Sequence, residues 1–524
     1  MGLHVDPGDW KLPGTDAIVR NTVAAVSRGT VEQSANVVLL HDGGGNRAQT
    51  VAALPGIIAG LRAAGYRIVP VSQLVGFSRE VVMPRLSASD LAAVRVDTGI
   101  FLVLLGIGFV LRWLFFFAIA LGIGRAVLLT AIAVLNRRQQ APQHAPSGRV
   151  SIIIPAFNEA QVIRASVERI LESDYRDIEV LVVDDGSTDT TAQIVRDVFT
   201  GDLRVKLLTL ANGGKARALN RALEITSGDV IVALDADTQF LPDTVRRLAG
   251  WFANPLVGAV AGNARVGNQV NLATRWQAVE YVTAQNVERR ALDALGAITV
   301  VPGAVGAWRR TALEAVGGYP VDTLAEDQDL TIAIQRKGWR IAYDVEAIAL
   351  TEAPETFAGL ASQRFRWSFG TLQCLWKHRA VIRNGRPRGL AWIGLPQAWL
   401  FQIVFAAVSP IIDLALMLSV IDTAVRVWQH GLAQTQSDLL RMAIYWSVFV
   451  SIDLFAGWIA YWLDGNRKGF PPLLMLAQRF FYRQLMYGVV LRSIAAALRG
   501  QIVGWGKLER SGSVRMVPIE VAGT

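Results

Sequence analysis

Hydrophobic and polar positions divide this chain into three kinds of stretch. Residues 99–135, GIFLVLLGIGFVLRWLFFFAIALGIGRAVLLTAIAVL, are apolar throughout except for Arg112 and Arg125. At about 1.5 Å per residue the run exceeds what one bilayer core of about 30 Å requires, yet it is short for a hairpin of two spans. It predicts one membrane span with an interfacial extension. The polar flank NRRQQAPQHAPSGR follows, with Arg137 and Arg138 at the cytoplasmic boundary. Apolar character returns after about residue 390, with candidate spans at 395–421, 439–463 and roughly 473–495. Pro410 in the first is tolerable where neighbouring helices satisfy the freed carbonyl. The basic loop DGNRKG, 464–469, should face the cytoplasm. Arg479, Arg483 and Arg492 in the last segment must face protein, water or the interface, so it is either a span or a surface helix.

Between these apolar blocks, residues 149 to about 350 alternate β-branched runs with amphipathic ones. VSIIIPAFNE is a strand entering a loop, QVIRASVERILES a helix, and IEVLVVDDGSTD a strand ending in acids. TAQIVRDVF is a helix, VKLLTL a short strand, NGGKARALNRALEIT the opening of a helix, and DVIVALDADT a strand. That order predicts a mostly parallel, Rossmann-like α/β sheet. Residues 1–75 read as a smaller α/β fragment, with NVVLLHD and YRIVPVSQL as strands and a helix near Thr50 to Ala64. Residues 76–98 read as a linker.

Composition sharpens this picture. At 524 residues more than one domain is expected, and 52% hydrophobic residues are too many for an ordinary soluble enzyme. The net charge of +9 is accounted for by Lys and Arg near span ends and by anionic lipid, so no nucleic acid partner is called for. Cys374 is the single cysteine, which excludes an intrachain disulfide and a cysteine-based zinc site. The start, MGLHVDPGDW, has no hydrophobic signal region.

The candidate chemistry sits at predicted strand ends. Asp184 and Asp185 close one strand, and Asp235 and Asp237 close another. Strand neighbours i and i+2 project to one side, so Asp235 and Asp237 should point together, and a divalent cation would relieve their repulsion. In open parallel sheets ligands bind beyond the carboxyl ends of the strands. Lys215 follows two glycines at a helix start, an arrangement that suits phosphate oxygens. In TLAEDQDL, Glu326, Asp327 and Asp329 are either ordinary first-turn acids or include a general base. In SQRFRWSFG, Gln363, Arg366 and Trp367 suit a stacked sugar or a clamped phosphate, or equally an interfacial basic-aromatic helix.

From about 149 to 378 the chain resembles the membrane-embedded, processive family 2 glycosyltransferases, the group of cellulose, chitin, hyaluronan and poly-N-acetylglucosamine synthases. PAFNE, VDDGSTD, GKARALN, LDADT, VPGAVGAWRR, AEDQDL and QRFRW occur in family order. The resemblance implies a glycosyltransferase A-type domain set between transmembrane helices. It implies a UDP-sugar donor held by Pro155, Glu159, Asp184, Asp185, Lys215 and Asp235, and Mg²⁺ or Mn²⁺ on Asp237 and Asp235. It implies Asp327 as general base, and Gly303, Gln363, Arg366 and Trp367 on the acceptor and pyrophosphate. The growing polysaccharide is then the acceptor, the lipid bilayer the surroundings, and the catalytic domain is cytoplasmic in a multi-pass plasma-membrane protein.

VDPGDW and VVLLHDGGG at the N-terminus resemble the last two motifs of NodB-type polysaccharide deacetylases, marking Asp6, Asp9, His41 and Asp42. The earlier metal-ligand and base motifs have no counterpart, so residues 1–75 resemble about the last third of that barrel and should lack activity. A deacetylase neighbour favours an N-acetylated polymer, hence UDP-N-acetylglucosamine, with room for an accessory subunit or deacetylase partner. The tail GWGKLERSG, 504–512, is similar to tails of the same synthase group. Hyaluronan or cellulose synthesis, single transfer to a lipid carrier, and a non-catalytic membrane scaffold are the rival readings. The expected organisation is completed by a 99–135 membrane segment, a 136–148 linker, the 149–378 catalytic domain, interfacial and transmembrane helices over 379–498, and a 499–524 tail.

Overall fold

Short apolar runs bounded by Gly, Asp and Ser leave the chain little choice but buried strands, and eight of them pair into one sheet. The computed structural model describes residues 5–28, 37–42, 47–85, 87–137, 148–501 and 510–514. The strands are β1 (Val150–Ala156), β2 (Ile178–Asp184), β3 (Val205–Thr209), β4 (Val230–Ala233), β5 (Gln239–Phe240), β6 (Val257–Val266), β7 (Gly306–Arg309) and β8 (Arg340–Thr351). Their order across the sheet is β3-β2-β1-β4-β7-β6-β8-β5. The β3-β2-β1-β4 half is parallel, β7 runs antiparallel between β4 and β6, and β8 lies parallel to β6. The expected mostly parallel α/β fold is therefore present, with two reversed strands, β7 inside the sheet and β5 at its edge.

Residues of β1, β2 and β4 are buried almost without break because helices cover both faces. Strand alternation splits them into two layers. Ile152, Ile154, Val180, Val182 and Val232 pack on one face with Ile163, Val167 and Ile170. Ile153, Leu181, Val183, Ile231 and Ala233 pack on the other with Ala218, Leu219 and Leu330. The covering helices show why they form: Ile163–Leu171 buries Ile163, Ser166, Val167 and Ile170, a single 3.6-residue stripe. All three central parallel strands end at the same edge, and the loops leaving that edge carry VDDG, LDADT and PAFNE.

The chain divides into two compact units, 1–107 and 108–524. In the first, the helices Thr15–Ser27 and Ala48–Ala63 pack through Ile18, Val26, Ala53, Ile57 and Leu61. The expected strands NVVLLHD and YRIVPVSQL are not formed. Val5 and Val38 make only an isolated parallel bridge. Residues 67–70 have no regular structure, and Val71–Val75 is a short helix starting after Pro70, whose fixed φ suits a helix start. Asn36, the first residue of NVVLLHD, and Arg138 lie outside the described residues.

Among the described residues, three helices are long and apolar enough to cross a membrane: Ala88–Leu135, Leu390–Gln429 and Thr435–Leu463. The first is a single helix of 48 residues that begins inside the expected linker. Segment 473–495 is not one continuous helix. It breaks between Pro472–Gln478 and Tyr482–Leu498, and the second piece buries Tyr482, Tyr487, Val489, Val490 and Ser493. It rests on the helix Phe357–Lys377, where the Ser493 hydroxyl donates to the Phe365 carbonyl at 3.5 Å. Its arginines settle on aromatic faces, Arg483 over Tyr487 and Arg492 over Phe365.

Candidate functional site

Four loops meet at the carboxyl edge of the sheet. The first two are tied to each other by Asn158, whose Oδ1 accepts from the Thr188 and Asp189 backbone N–H groups at 2.7 and 3.3 Å. Asn158 holds φ +56°, a left-handed conformation that Asn tolerates. Pro155 precedes this loop within β1, opposite Val183, and the Glu159 N–H donates to Thr191 Oγ1 at 2.7 Å.

Asp184 and Asp185 are buried at the end of β2. Asp184 accepts from the Ser187 N–H at 3.2 Å. Asp185 accepts from the N–H groups of Gly213 and Gly214 at 2.9 and 2.8 Å, which fastens the VDDG turn to the glycines before Lys215. The turn needs Gly186: φ is +75°, and a Cβ there would lie 2.7 Å from the Asn212 nitrogen.

Lys215, first residue of the helix Lys215–Ile225, is the electrostatic centre. Its ammonium lies 2.6 Å from Asp235 Oδ1 and 3.1 Å from Glu326 Oε1. Burial works to neutralise the ammonium, but Asp235 and Glu326 outweigh it and hold its pKa well above the ordinary lysine value. Gly303 closes over this group. A Cβ at Gly303 would sit 2.8 Å from Lys215 Nζ and 3.7 Å from Asp327 Oδ2, so any side chain there would have to displace the ammonium from its carboxylates.

Strand alternation does not govern Asp235 and Asp237. The strand ends at Ala233, and Asp235 to Thr238 form a turn in which the Thr238 N–H donates to the Asp235 carbonyl at 3.0 Å. The two carboxylates therefore meet different cations: Asp235 takes Lys215, while Asp237 Oδ2 lies 2.8 Å from the Arg510 guanidinium. That second contact lacks hydrogen-bond geometry, and Asp237 Oδ2 is buried with no hydrogen bond among the described residues. Burial raises the Asp237 pKa, opposed by Arg510 and reinforced by Asp235 and Glu352.

The acids of AEDQDL have separate fates on the helix Glu326–Arg336. Glu326 faces Lys215. Asp327 is half-buried and accepts from the Gly303 N–H at 3.1 Å and the Gln328 N–H at 2.8 Å. Burial holds its pKa above the usual carboxylate range, against Lys215 and those two N–H groups. Asp329 is structural. His378 Nε2 and Lys377 Nζ both lie 2.7 Å from it, and despite its burial these partners lower its pKa. This clamp fixes the helix Phe357–Lys377 against the acids, helped by Thr371 donating to Gln328 Oε1 at 2.9 Å.

On that helix Gln363 and Arg366 are partly buried and Trp367 is exposed. Gln363 Oε1 is buried without a hydrogen bond among the described residues. Burial and the neighbouring Arg510 lower the Arg366 pKa. Arg364, unmarked in the sequence reading, lies 4.1 Å from the Trp367 ring and donates to Glu280 Oε2 at 2.8 Å. Arg309 and Arg310 of VPGAVGAWRR serve backbone carbonyls instead: Arg309 those of Phe252, Asn254 and Val257, Arg310 those of Leu223, Thr226 and Gly228.

Residues 151–317 match the glycosyl transferase family 2 profile. The chain carries a family 2 glycosyl transferase domain. Its activity is glycosyl transfer. Two similar proteins are poly-β-1,6-N-acetyl-D-glucosamine synthases. That of Staphylococcus epidermidis is 25% identical over 379 residues, 70% of this chain and 89% of that protein. That of Staphylococcus aureus strain COL is 29% identical over 236 residues, 45% of this chain and 56% of that protein. Among solved structures, the mannosyltransferase PcManGT of Pyrobaculum calidifontis, in complex with GDP-Man and Mn²⁺, is 24% identical. It superposes with a TM-score of 0.51 over 72% of this chain and 98% of that one, a likeness of fold.

In the first unit, Asp9 is fully buried and accepts from the His41 N–H and Thr50 Oγ1, both at 2.9 Å. His41 Nδ1 is 2.9 Å from the other Asp9 oxygen. Ligand atoms of Asp6, Asp9 and His41 lie within 4.8 Å of one another, a convergence of the two N-terminal motifs that spacing does not reveal. Asp42 is exposed, and His4 lies outside the described residues.

Lys215 lies between Asp235 and Glu326: burial pushes both carboxylates up, and the ammonium opposes it, leaving Asp235 below its ordinary pKa and Glu326 still above. Lys215→Ala should destabilise the protein by about 3 kcal/mol at neutral pH. Asp235 is 36% open to water, which keeps the loss from being larger. Without the ammonium both folded carboxylates titrate above their unfolded values, so the penalty exists at neutral pH and fades on acidification. Thermal unfolding compared at about pH 8 and about pH 5 reads this out. A deficit equal at both would contradict the cluster.

Proposed function

We propose that this protein is a membrane-bound, inverting glycosyltransferase that polymerises N-acetylglucosamine from UDP-N-acetylglucosamine into a β-linked exopolysaccharide. The carrying observation is Asp327: a carboxylate in a strongly charged pocket, aimed by two backbone N–H groups, with its pKa held up by burial. A base of raised pKa accepts a hydroxyl proton more readily near neutral pH than an ordinary aspartate. The acceptor hydroxyl attacks the anomeric carbon, its proton passes to Asp327, a new C–O bond forms, and the bond to the UDP oxygen breaks with inversion. Lys215 lies where the diphosphate gathers charge, and the N-terminus of its helix adds to that field.

Asp237 and Asp235 are the carboxylates for Mg²⁺ or Mn²⁺. The fit is supported by Asp237 Oδ2, a buried acceptor with no hydrogen bond, since hard oxygen ligands suit both ions. When bound, the ion would supply positive charge to the leaving diphosphate. Asp184, Asp185, Pro155 and Glu159 are the nucleoside side of the donor site. Gly303, Gln363, Arg366 and Trp367 are the acceptor and pyrophosphate side, with Trp367 steadied by Arg364. The N-acetylated sugar is supported by the similarity to the staphylococcal synthases and by the N-terminal motifs.

We place the catalytic domain on the cytoplasmic side of a plasma membrane crossed more than once. Arg137 and Arg467 lie 5.1 and 5.4 Å from the Trp462 ring, next to the ends of two long apolar helices. Such a basic-aromatic cluster is typical of a cytoplasmic interface. Residues 1–75 we read as a NodB-type deacetylase remnant, with an accessory subunit or deacetylase acting separately.

Two outcomes follow. Asp327→Asn should lose transfer by about 10²-fold or more while UDP binding, read by calorimetry, stays near wild type. A variant retaining more than a few percent of turnover would remove Asp327 as the base. The N-terminal remnant should release no acetate from N-acetylglucosamine oligomers supplied with a divalent metal, because Asp9 is already engaged by His41 and Thr50. Acetate release that His41→Ala abolishes would show a working deacetylase.

A further inference from the structure

The last described segment, residues 510–514, is seated in the donor site itself. Glu352, buried at the end of β8, accepts the backbone N–H groups of Ser511 and Gly512 at 2.6 and 3.0 Å. The hydroxyls of Ser511 and Ser513 donate to Glu355 at 2.7 and 2.5 Å. Val514 lies against Gly267, where a Cβ would come within 2.6 Å of its methyl group. Arg510 is thereby delivered to Asp237, and its Nη1 donates to the Glu352 carbonyl at 2.9 Å. Burial opposes the charged guanidinium, but Asp237, Glu159, Asp235 and Glu352 together keep it charged.

Resting on the reading that Asp237 binds a divalent cation, we propose that Arg510 is the resident cation of the donor site. In the absence of donor it holds Asp237 Oδ2 and excludes the metal ion. The ion enters together with the nucleotide diphosphate. The geometry gives the reason. A metal ion must approach the same oxygen to about 2.1 Å, and Arg510 Nη2 already stands 2.8 Å from it. Two cations at one buried oxygen, with little water at that atom to screen them, repel strongly. Lys215 is committed to Asp235 and Glu326, so Arg510 is the only other described cation in ionic contact with this pair. A diphosphate brings the negative charge that allows guanidinium, ammonium and metal ion to coexist. Arg510 thus couples metal affinity to donor occupancy, and linkage makes the coupling reciprocal.

The test is Mn²⁺ binding by the purified full-length protein, read from the paramagnetic resonance signal of free Mn²⁺, with and without UDP. Wild type should bind Mn²⁺ weakly alone and more tightly with UDP. Arg510→Ala should bind Mn²⁺ alone about tenfold more tightly than wild type, within the usual range of such couplings. Asp237→Ala should lose binding in both backgrounds. If Arg510→Ala shows wild-type or weaker affinity while Asp237→Ala still abolishes binding, the role of Arg510 is wrong and the metal reading stands. If Asp237→Ala leaves Mn²⁺ binding intact, the metal reading fails and this inference falls with it.

Discussion

One lysine ammonium, shared between Asp235 and Glu326 at 2.6 and 3.1 Å, holds the site together. It stands at the first turn of its helix because Gly213 and Gly214 bend the chain there, and those glycines are fastened by both oxygens of Asp185. The VDDG turn, the glycine loop, the LDADT turn and the AEDQDL helix thus converge on a single charge. Gly303 fits the same constraint, since a side chain there would push against the ammonium. Carboxylates outnumber the cations that serve them, which is the condition a cationic metal or a cation-bearing tail relieves.

The framework holds this excess charge in place from behind. Asp329 draws in Lys377 and His378 at the end of the helix that carries Gln363, Arg366 and Trp367, so that helix is indexed to the acids. At the far end of the long helix Leu432–Leu463, Asp464 accepts from Asn286 at 2.8 Å and lies 2.9 Å from Arg265 of β6, which ties an apolar helix to the sheet. Contacts of this kind tie the sheet to helices long and apolar enough to cross a bilayer.

Local signals were readable in the sequence where one element decided the outcome. The β1, β2, β3 and β4 runs, their amphipathic helices and the strand-end acids follow from periodicity and from the rule that ligands bind beyond parallel strand ends. Three things were not readable. YRIVPVSQL has strand composition, but it has no sheet partner among the described residues and Pro70 starts a helix. Asp235 and Asp237 lie past the end of their strand, so the turn, not alternation, aims them. Arg510 is far from Asp237 in the chain, and only the tertiary seat made by Glu352, Glu355 and Gly267 brings them together. The tail GWGKLERSG contains Arg510, yet nothing in its spacing signals an acidic partner.

The central claim is that this charged cluster builds polymer by transferring N-acetylglucosamine from a UDP donor. Mass analysis of the carbohydrate made by the purified, membrane-reconstituted protein from UDP-N-acetylglucosamine tests it most directly. The account predicts a ladder of β-linked products spaced by one N-acetylhexosamine residue, with UDP released in step. UDP release without a ladder, or a single sugar added to a lipid, would contradict it.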